Sequence, residues 1–334
     1  MSSSSLVPLL LALLTVCAWS SLGVSAGTHL PSRAHHAVIR LQEDAAAAAA
    51  PRQAPHGWVH GMNNYTMNRP EGERHYMVYV PSSYDRSRPV SLVQALHGLG
   101  GSALSTMTSI GLPAASEKWQ FILAVPEGTV TKYEQRKGWN AGTCCANETV
   151  DDMAFLSLMV DTLKDTFWIR NDSVHTMGHS NGGFMSERLA CELGSVFTSA
   201  ASVSGDTVML PGNAGGLAAC TAAYKSPVSL LHLHGNADPT VPWNGDSGIG
   251  FPSVPDNMAA WVSRNHCGNK PVQTLDQPAF VNQVWERCSV GNTTVELITH
   301  LGGNHDYPTP NSGGFDTTGY IMGFFDRNTH NGLR

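Results

Sequence analysis

The stretch 173-SVHTMGHSNGGFMSERLACEL-193 decides how the rest of the chain is read. Residues 173–177 form a short, mostly apolar strand-like run, and residues 181–193 read as a helix. Between them lies Gly178-His179-Ser180-Asn181-Gly182, a GxSxG pentapeptide. A chain that leaves a strand and enters a helix within so few residues must turn sharply, and a side chain two residues either side of the serine would collide with the turn. Glycine at both places relieves that collision. The turn lifts the Ser180 hydroxyl clear of the strand end and sets it at a helix N-terminus, where backbone N–H groups can face a developing negative charge. The same pentapeptide occurs often by chance, so its meaning rests on the strand before it and the helix after it.

Outward from this turn, strand-like and helix-like segments alternate. Residues 75–80, 90–96 and 121–125 read as strands, and residues 105–117 as a helix. The apolar spacing of Met153, Leu156, Val160 and Leu163 predicts a helix over residues 151–167. Further strands are expected at 199–203, 228–234 and 295–300, with a last helix at 319–328. Residues 239–292 depart from the alternation and read as an insertion. Near-continuous apolar strands alternating with helices imply an α/β three-layer sandwich with a mostly parallel central sheet, covered on both faces.

A serine hydroxyl needs a base to act as a nucleophile. In a layered α/β fold the partners follow the serine as acid and then histidine, each in a loop after a strand. His234-Gly235-Asn236-Ala237-Asp238-Pro239 follows one apolar strand and offers Asp238 as the acid. Gly302-Gly303-Asn304-His305-Asp306 follows the last strand and offers His305 as the base. Asp206 and Asp246 are alternative acids, and His300 an alternative base. An oxyanion hole needs two N–H donors. Asn181 supplies one, and the loop His97-Gly98-Leu99-Gly100-Gly101-Ser102 supplies the other, with Leu99 preferred over Gly98 and Gly100. Such chemistry requires neither a metal nor an organic cofactor.

Composition narrows the setting. The 334 residues are 42% hydrophobic but only 14% charged, with a net charge of −6, against roughly 25% charged residues in an average soluble protein. No run of Lys or Arg concentrates positive charge, which argues against a nucleic-acid partner. Residues 1–26 read as a signal peptide: an apolar run from Leu6 to Cys17, too short to span a bilayer, then small residues ending in Val24-Ser25-Ala26. Met1 to Ser5 lack Lys and Arg, so an uncleaved anchor is the alternative. No later stretch is long and apolar enough to cross a membrane. Residues 27–55, with Ala45 to Ala50 in a row, read as a pro-region or tether, and residues 56–334 as the folded body. The expected location is extracellular. Removing Cys17 leaves Cys144, Cys145, Cys191, Cys220, Cys267 and Cys288, an even set suited to disulfides. Cys267 and Cys288 share the insertion and are the preferred pair; the neighbours Cys144 and Cys145 are expected to take different partners. Asn64, Asn147, Asn171 and Asn292 head N-glycosylation sequons.

Several segments occur together and in order: the HGLGGS loop, Gly138-Trp139-Asn140-Ala141-Gly142-Thr143-Cys144-Cys145, Asp151-Asp152, GHSNGG, HGNADPTVP and GGNHDYP. Their combination resembles the esterase family of polyhydroxybutyrate depolymerases and feruloyl and acetylxylan esterases, within the α/β-hydrolase superfamily. The resemblance covers roughly residues 70–330. It implies serine ester hydrolysis through an acyl-enzyme, with Ser180, Asp238 and His305 in the roles reached above. It also implies a small ester, a polyester oligomer or an esterified polysaccharide as substrate. Trp139 lies in a segment found near the site in such enzymes and is a candidate pocket residue, as is Trp243 just beyond Asp238. Tyr307 stands where many relatives carry tryptophan, and Asn304 replaces a more usual glycine, so the pocket wall departs from the family pattern.

Overall fold

Residues Val90–Leu96 (β3) and Phe121–Pro126 (β4) are buried almost end to end, and a strand with no exposed face must be covered from both sides. The computed structural model describes residues 57–329 except 133, 146–149, 209–215, 269 and 276, and supplies that cover. The expectations for residues 1–26 and 27–55, and the sequon at Asn147, lie outside the described residues.

The remaining elements in chain order begin with the hairpin Gly61–Arg69 (β1) and Gly72–Val80 (β2), which precedes β3. Helices Ala103–Ser109 (α1) and Leu112–Trp119 (α2) lead to β4 and a small ribbon, Thr129–Val130 (β5) with Lys137–Gly138 (β6). Asp152–Thr166 (α3), Ile169–His179 (β7), Asn181–Glu192 (α4), Ser199–Val203 (β8), Gly216–Ala223 (α5) and Ser229–Gly235 (β9) follow. Val254–Arg264 (α6), Phe280–Trp285 (β10), Val295–His300 (β11) and Thr317–Arg327 (α7) complete the set. The main sheet has the order β1-β2-β4-β3-β7-β8-β9-β11-β10. Strands β4, β3, β7, β8, β9 and β11 run parallel, while β1, β2 and β10 pair antiparallel at the two edges.

Alternation along the strands divides the core. Leu92 and Ile122 point to one face, where Phe155, Leu156, Met159, Phe184 and Met185 of α3 and α4 cover them. Val93 and Leu123 point to the other, against Met107, Leu112, Ile321 and Phe324 of α1, α2 and α7. None of the described helices is long and apolar enough to cross a membrane.

Three expectations need correction. The single helix over residues 105–117 is two helices: Gly111 takes φ 73°, and Pro113 lies in the first turn of α2, where its missing N–H is tolerated. Strand β1, absent from the sequence reading, is a half-exposed edge whose polar residues mask its period. The structure joins Cys191 to Cys220, Cys267 to Cys288 and Cys144 to its neighbour Cys145, so the vicinal cysteines do not take different partners. Among the described cysteines the other four are paired, so each is left only the other, and the positive φ of Cys145 (64°) belongs to the turn that joins them. The sequon residues Asn64, Asn171 and Asn292 are exposed.

Candidate active site

The turn between β7 and α4 is as tight as its glycines suggest. A Cβ on Gly178 would lie 2.3 Å from the Gly182 carbonyl, and one on Gly182 would lie 2.3 Å from the Leu96 oxygen. Ser180 between them has φ 55° and ψ −123°. Its N–H donates to Val203 O at 2.8 Å, which anchors the turn to β8.

Two loops bring the other groups to this point. The loop after β9 and the loop after β11 are stitched together by backbone bonds: Asn236 N–H to His300 O at 3.1 Å and Ala237 N–H to Gly303 O at 3.0 Å. The Gly302 N–H also donates to Asn236 Oδ1 at 2.6 Å. The parallel pairing of β9 with β11 places the two loops side by side at the same sheet edge. As a result His305 Nε2 lies 2.8 Å from Ser180 Oγ, and His305 Nδ1 lies 2.7 Å from Asp238 Oδ2. Asp238 Oδ1 accepts from the N–H groups of Thr240 and Val241 at 2.8 and 2.9 Å. Burial pushes the Asp238 carboxyl up, but hydrogen bonds from His234, His305 and Val241 outweigh it and hold the group below the ordinary carboxylate range. The ionised Asp238 makes Nδ1 of His305 the protonated nitrogen, which leaves Nε2 to accept from the Ser180 hydroxyl.

The alternative residues lie elsewhere. Asp206 is fully buried, with its Oδ1 3.9 Å from His232 Nε2. Asp246 caps its own turn, accepting from Gly248 N–H. The His300 ring stacks on Phe280 at 4.4 Å.

Of the loop donors, Gly100 N–H is taken by Lys137 O at 2.7 Å, which leaves Leu99 and Gly98 as candidates. Gly98 approaches the nucleophile turn closely, since a Cβ there would lie 3.4 Å from Ser180 Cβ. His97 braces this loop. Its Nε2 accepts from Gly128 N–H at 2.9 Å, so its Nδ1–H donates to Gly98 O at 2.8 Å. Burial lowers the pKa of His97, in keeping with that neutral form.

Asn181 does more than offer its N–H. Its side chain accepts from Trp139 N–H at 2.6 Å and donates to Trp139 O at 3.1 Å. That clasp ties the segment after β6 to the first turn of α4. Trp139 itself is fully buried, with its indole N–H donating to His97 O at 2.9 Å, so it underlies the site and is not a pocket wall. Trp243 lines a groove with Met258, His266, Cys267 and Trp285 that does not include Ser180 or His305. Tyr307 lines a cavity of about 290 Å³ behind the nucleophile turn, with His97, Leu99, Ile110 and His179. Its hydroxyl is hydrogen-bonded to that of Thr318 at 2.9 Å, and burial raises its pKa.

Beneath Asp238 lies a buried polar network that sequence reasoning did not find. Among the described residues, Asp206, His232 and His234 form the one group whose potential metal-binding atoms all lie within 4.8 Å of one another. His232 Nε2 and His234 Nδ1 are 3.0 Å apart, the separation of an N–H···N hydrogen bond.

A parallel sheet flanked by helices, with a serine on a strand-to-helix turn and a histidine and carboxylate in the loops beyond, defines the α/β-hydrolase class. The sequence pattern of the Esterase family matches residues 67–294, and the chain belongs to that family. It is 28% identical over 240 residues to feruloyl esterase C of Emericella nidulans, covering 70% of this chain and 77% of the relative. It is 26% identical over 239 residues to feruloyl esterase B of Piromyces equi, covering 70% of this chain and 42% of that longer protein. Among solved structures, the acetyl xylan esterase from Aspergillus awamori superposes with a TM-score of 0.59 at 16% identity, covering 79% of this chain and 98% of the other. The protein is an esterase acting on carboxylic esters.

Proposed function

We propose that this esterase is a secreted serine hydrolase working through an acyl-enzyme, and that its substrates are hydroxycinnamoyl (feruloyl-type) esters of polysaccharide. The observation that carries the mechanism is the continuous Ser180–His305–Asp238 chain, with contacts of 2.8 and 2.7 Å. His305 takes the Ser180 proton as Oγ attacks the ester carbonyl. The tetrahedral oxyanion is met by the N–H groups of Asn181 and Leu99, and His305 then protonates the departing alcohol. Water repeats the cycle in reverse to free the acid. Asp238 stays ionised throughout and stabilises the imidazolium.

The feruloyl esterase relatives support the acyl group; acetylated xylan and hydroxybutyrate oligomers are the competing ester classes. Three disulfides and the export-like residues 1–26 support secretion. A panel of methyl ferulate, acetylated xylan, hydroxybutyrate oligomers and an aminoacyl amide tests the reading, together with fluorophosphonate labelling mapped by peptide mass. Methyl ferulate should be turned over fastest, the amide hardly at all, and the label should sit on Ser180. Faster amide cleavage, or a label on another residue, contradicts the proposal.

A further inference from the structure

The loop after β3 is held at three points that leave one N–H without a partner. The carbonyl of His97 accepts from the buried Trp139 indole at 2.9 Å. The N–H of Gly100 donates to Lys137 O at 2.7 Å. Between them the Gly98 carbonyl takes two donors, the Gly101 N–H at 2.9 Å and the His97 ring at 2.8 Å. Geometry alone fixes the proton on that ring. A backbone N–H can only donate, so the Gly128 contact at 2.9 Å leaves Nε2 without a proton. A carbonyl can only accept, so Nδ1 carries the proton that reaches Gly98 O. Both approaches need glycine. A Cβ on Gly128 would lie 2.5 Å from Gly138 O and 3.0 Å from Nε2, and one on Gly101 would lie 3.0 Å from Gly98 O and 3.3 Å from Nδ1. A trans peptide group is a rigid plane, with its carbonyl and the N–H of the next residue on opposite sides. Turning Gly98 O toward His97 therefore turns Leu99 N–H away from it. Among the described residues that N–H has no acceptor.

We propose that His97 is a positioning residue for the oxyanion hole: by holding Gly98 O it sets the Gly98–Leu99 peptide so that the Leu99 N–H meets the charge that develops on the ester oxygen. This role rests on the reading of Ser180 as nucleophile and Leu99 as donor. Gly98 and Leu99 line the same cavity as Gly178 and His179 of the nucleophile strand, and a Cβ on Gly98 would lie 3.4 Å from Ser180 Cβ. The rival donor, Gly98 N–H, belongs to the preceding peptide, whose carbonyl is held by Trp139, so different side chains set the two N–H groups. A donor aimed before the reaction needs no reorientation as the oxyanion forms. In this role His97 touches neither the substrate nor the reacting atoms. The Gly101 N–H keeps part of the aim when the His97 bond is lost. The effect therefore stays below the roughly 10²–10³-fold loss that follows removal of an oxyanion donor.

Two substitutions separate the contacts of the ring. Asn places its amide nitrogen near the position of Nδ1, so His97→Asn keeps a donor for Gly98 O and drops the bond to Gly128. Gln places its amide oxygen near the position of Nε2, so His97→Gln keeps the acceptor for Gly128 and drops the bond to Gly98. In the full chain, kcat for methyl ferulate should fall about 10- to 100-fold in His97→Gln with KM within about twofold, and His97→Asn should stay within about threefold of wild type. Benzyl trifluoromethyl ketone gives the readout that a purely structural role would not move. Ser180 Oγ adds to its carbonyl carbon, His305 Nε2 takes the hydroxyl proton, and the carbonyl oxygen becomes an oxyanion in the hole. Its inhibition constant should rise in His97→Gln by the factor that kcat falls. A loss of folded sites would lower kcat and leave that constant unchanged. Activity in His97→Gln within about threefold of wild type, an equal loss in His97→Asn, or an unmoved inhibition constant overturns the proposal. Wild-type protein decides the matter even if the variants do not fold. In its amide NMR spectrum the Leu99 N–H signal should move downfield when the ketone adduct forms; an unmoved Leu99 signal, or a shift of Gly98 in its place, overturns the proposal. Failure of the catalytic reading would look different: no ketone adduct would form at Ser180, and Ser180→Ala would retain its activity.

Discussion

Ser180 holds a backbone conformation, φ 55° with ψ −123°, of a kind that costs roughly 1–3 kcal/mol in a residue other than glycine. Its neighbour His179 adds a second local cost: its Nε2 is buried without a hydrogen-bond partner. Burial first, and the nearby His305 second, bring the pKa of His179 down to about 4. The unfolded chain takes up that proton near pH 6.5, whereas the folded protein resists until about pH 4. Folding stability should therefore fall as pH drops across this window, by up to about 3 kcal/mol from this residue. Thermal denaturation from pH 7 to pH 4 checks it: His179→Leu should decline less steeply than wild type, and an equal decline contradicts the assignment. The catalytic candidates were legible because each follows an apolar strand at the same edge of the sheet, a rule of chain order. The Asn181 clasp on Trp139 and the His97 bond to Gly128 were not. Those partners stand 42 and 31 residues away, and only the folded chain makes them neighbours. His232 was hidden for the same reason, inside a strand that reads as plain β structure.

Among the elements, α3 is held to the sheet by an ion pair with almost no access to water. Arg74 of β2 lies 2.7 Å from Asp152, with side chains 3% and 1% exposed. Its guanidinium also sits 4.0 Å from the centre of the Phe155 ring. Asp152 accepts in addition from Asn140 N–H at 2.7 Å, so the pair orders the segment leading from Trp139. Burial pushes Asp152 up against the pull of Arg74. Arg74→Met should cost about 3–5 kcal/mol in urea denaturation by stranding that carboxylate; a loss below about 1 kcal/mol contradicts this account. The strands and helices around the nucleophile were readable from apolar period alone. The break between α1 and α2 was missed because Gly111 and Pro113 interrupt an otherwise helix-like composition without changing its hydrophobic pattern. Strand β1 escaped because an edge strand with one wet face carries Asn63, Asn64 and Asn68 where a buried strand would carry valine.

At the scale of the molecule, three disulfides close short loops, and of these Cys144–Cys145 lies beside Asn181. The Cys191–Cys220 bridge links α4 to α5 across 29 residues, a loop whose closure is worth about 3.5 kcal/mol in the chain-entropy account. Replacing both cysteines by alanine should lower the urea midpoint accordingly, and an unchanged midpoint would show that the bridge is dispensable. The even set of six cysteines beyond Cys17 was readable; the pairing of Cys144 with Cys145 was not, because it depends on a turn that composition does not specify. What unites these scales is the meeting of three loops at one sheet edge, which in the proposed mechanism makes the Ser180 hydroxyl a nucleophile. The most direct measurement is kcat/KM for methyl ferulate in folded Ser180→Ala beside wild type. A loss of about 10⁴-fold or more is predicted, as for removal of a catalytic nucleophile; activity within about tenfold of wild type would contradict the assignment.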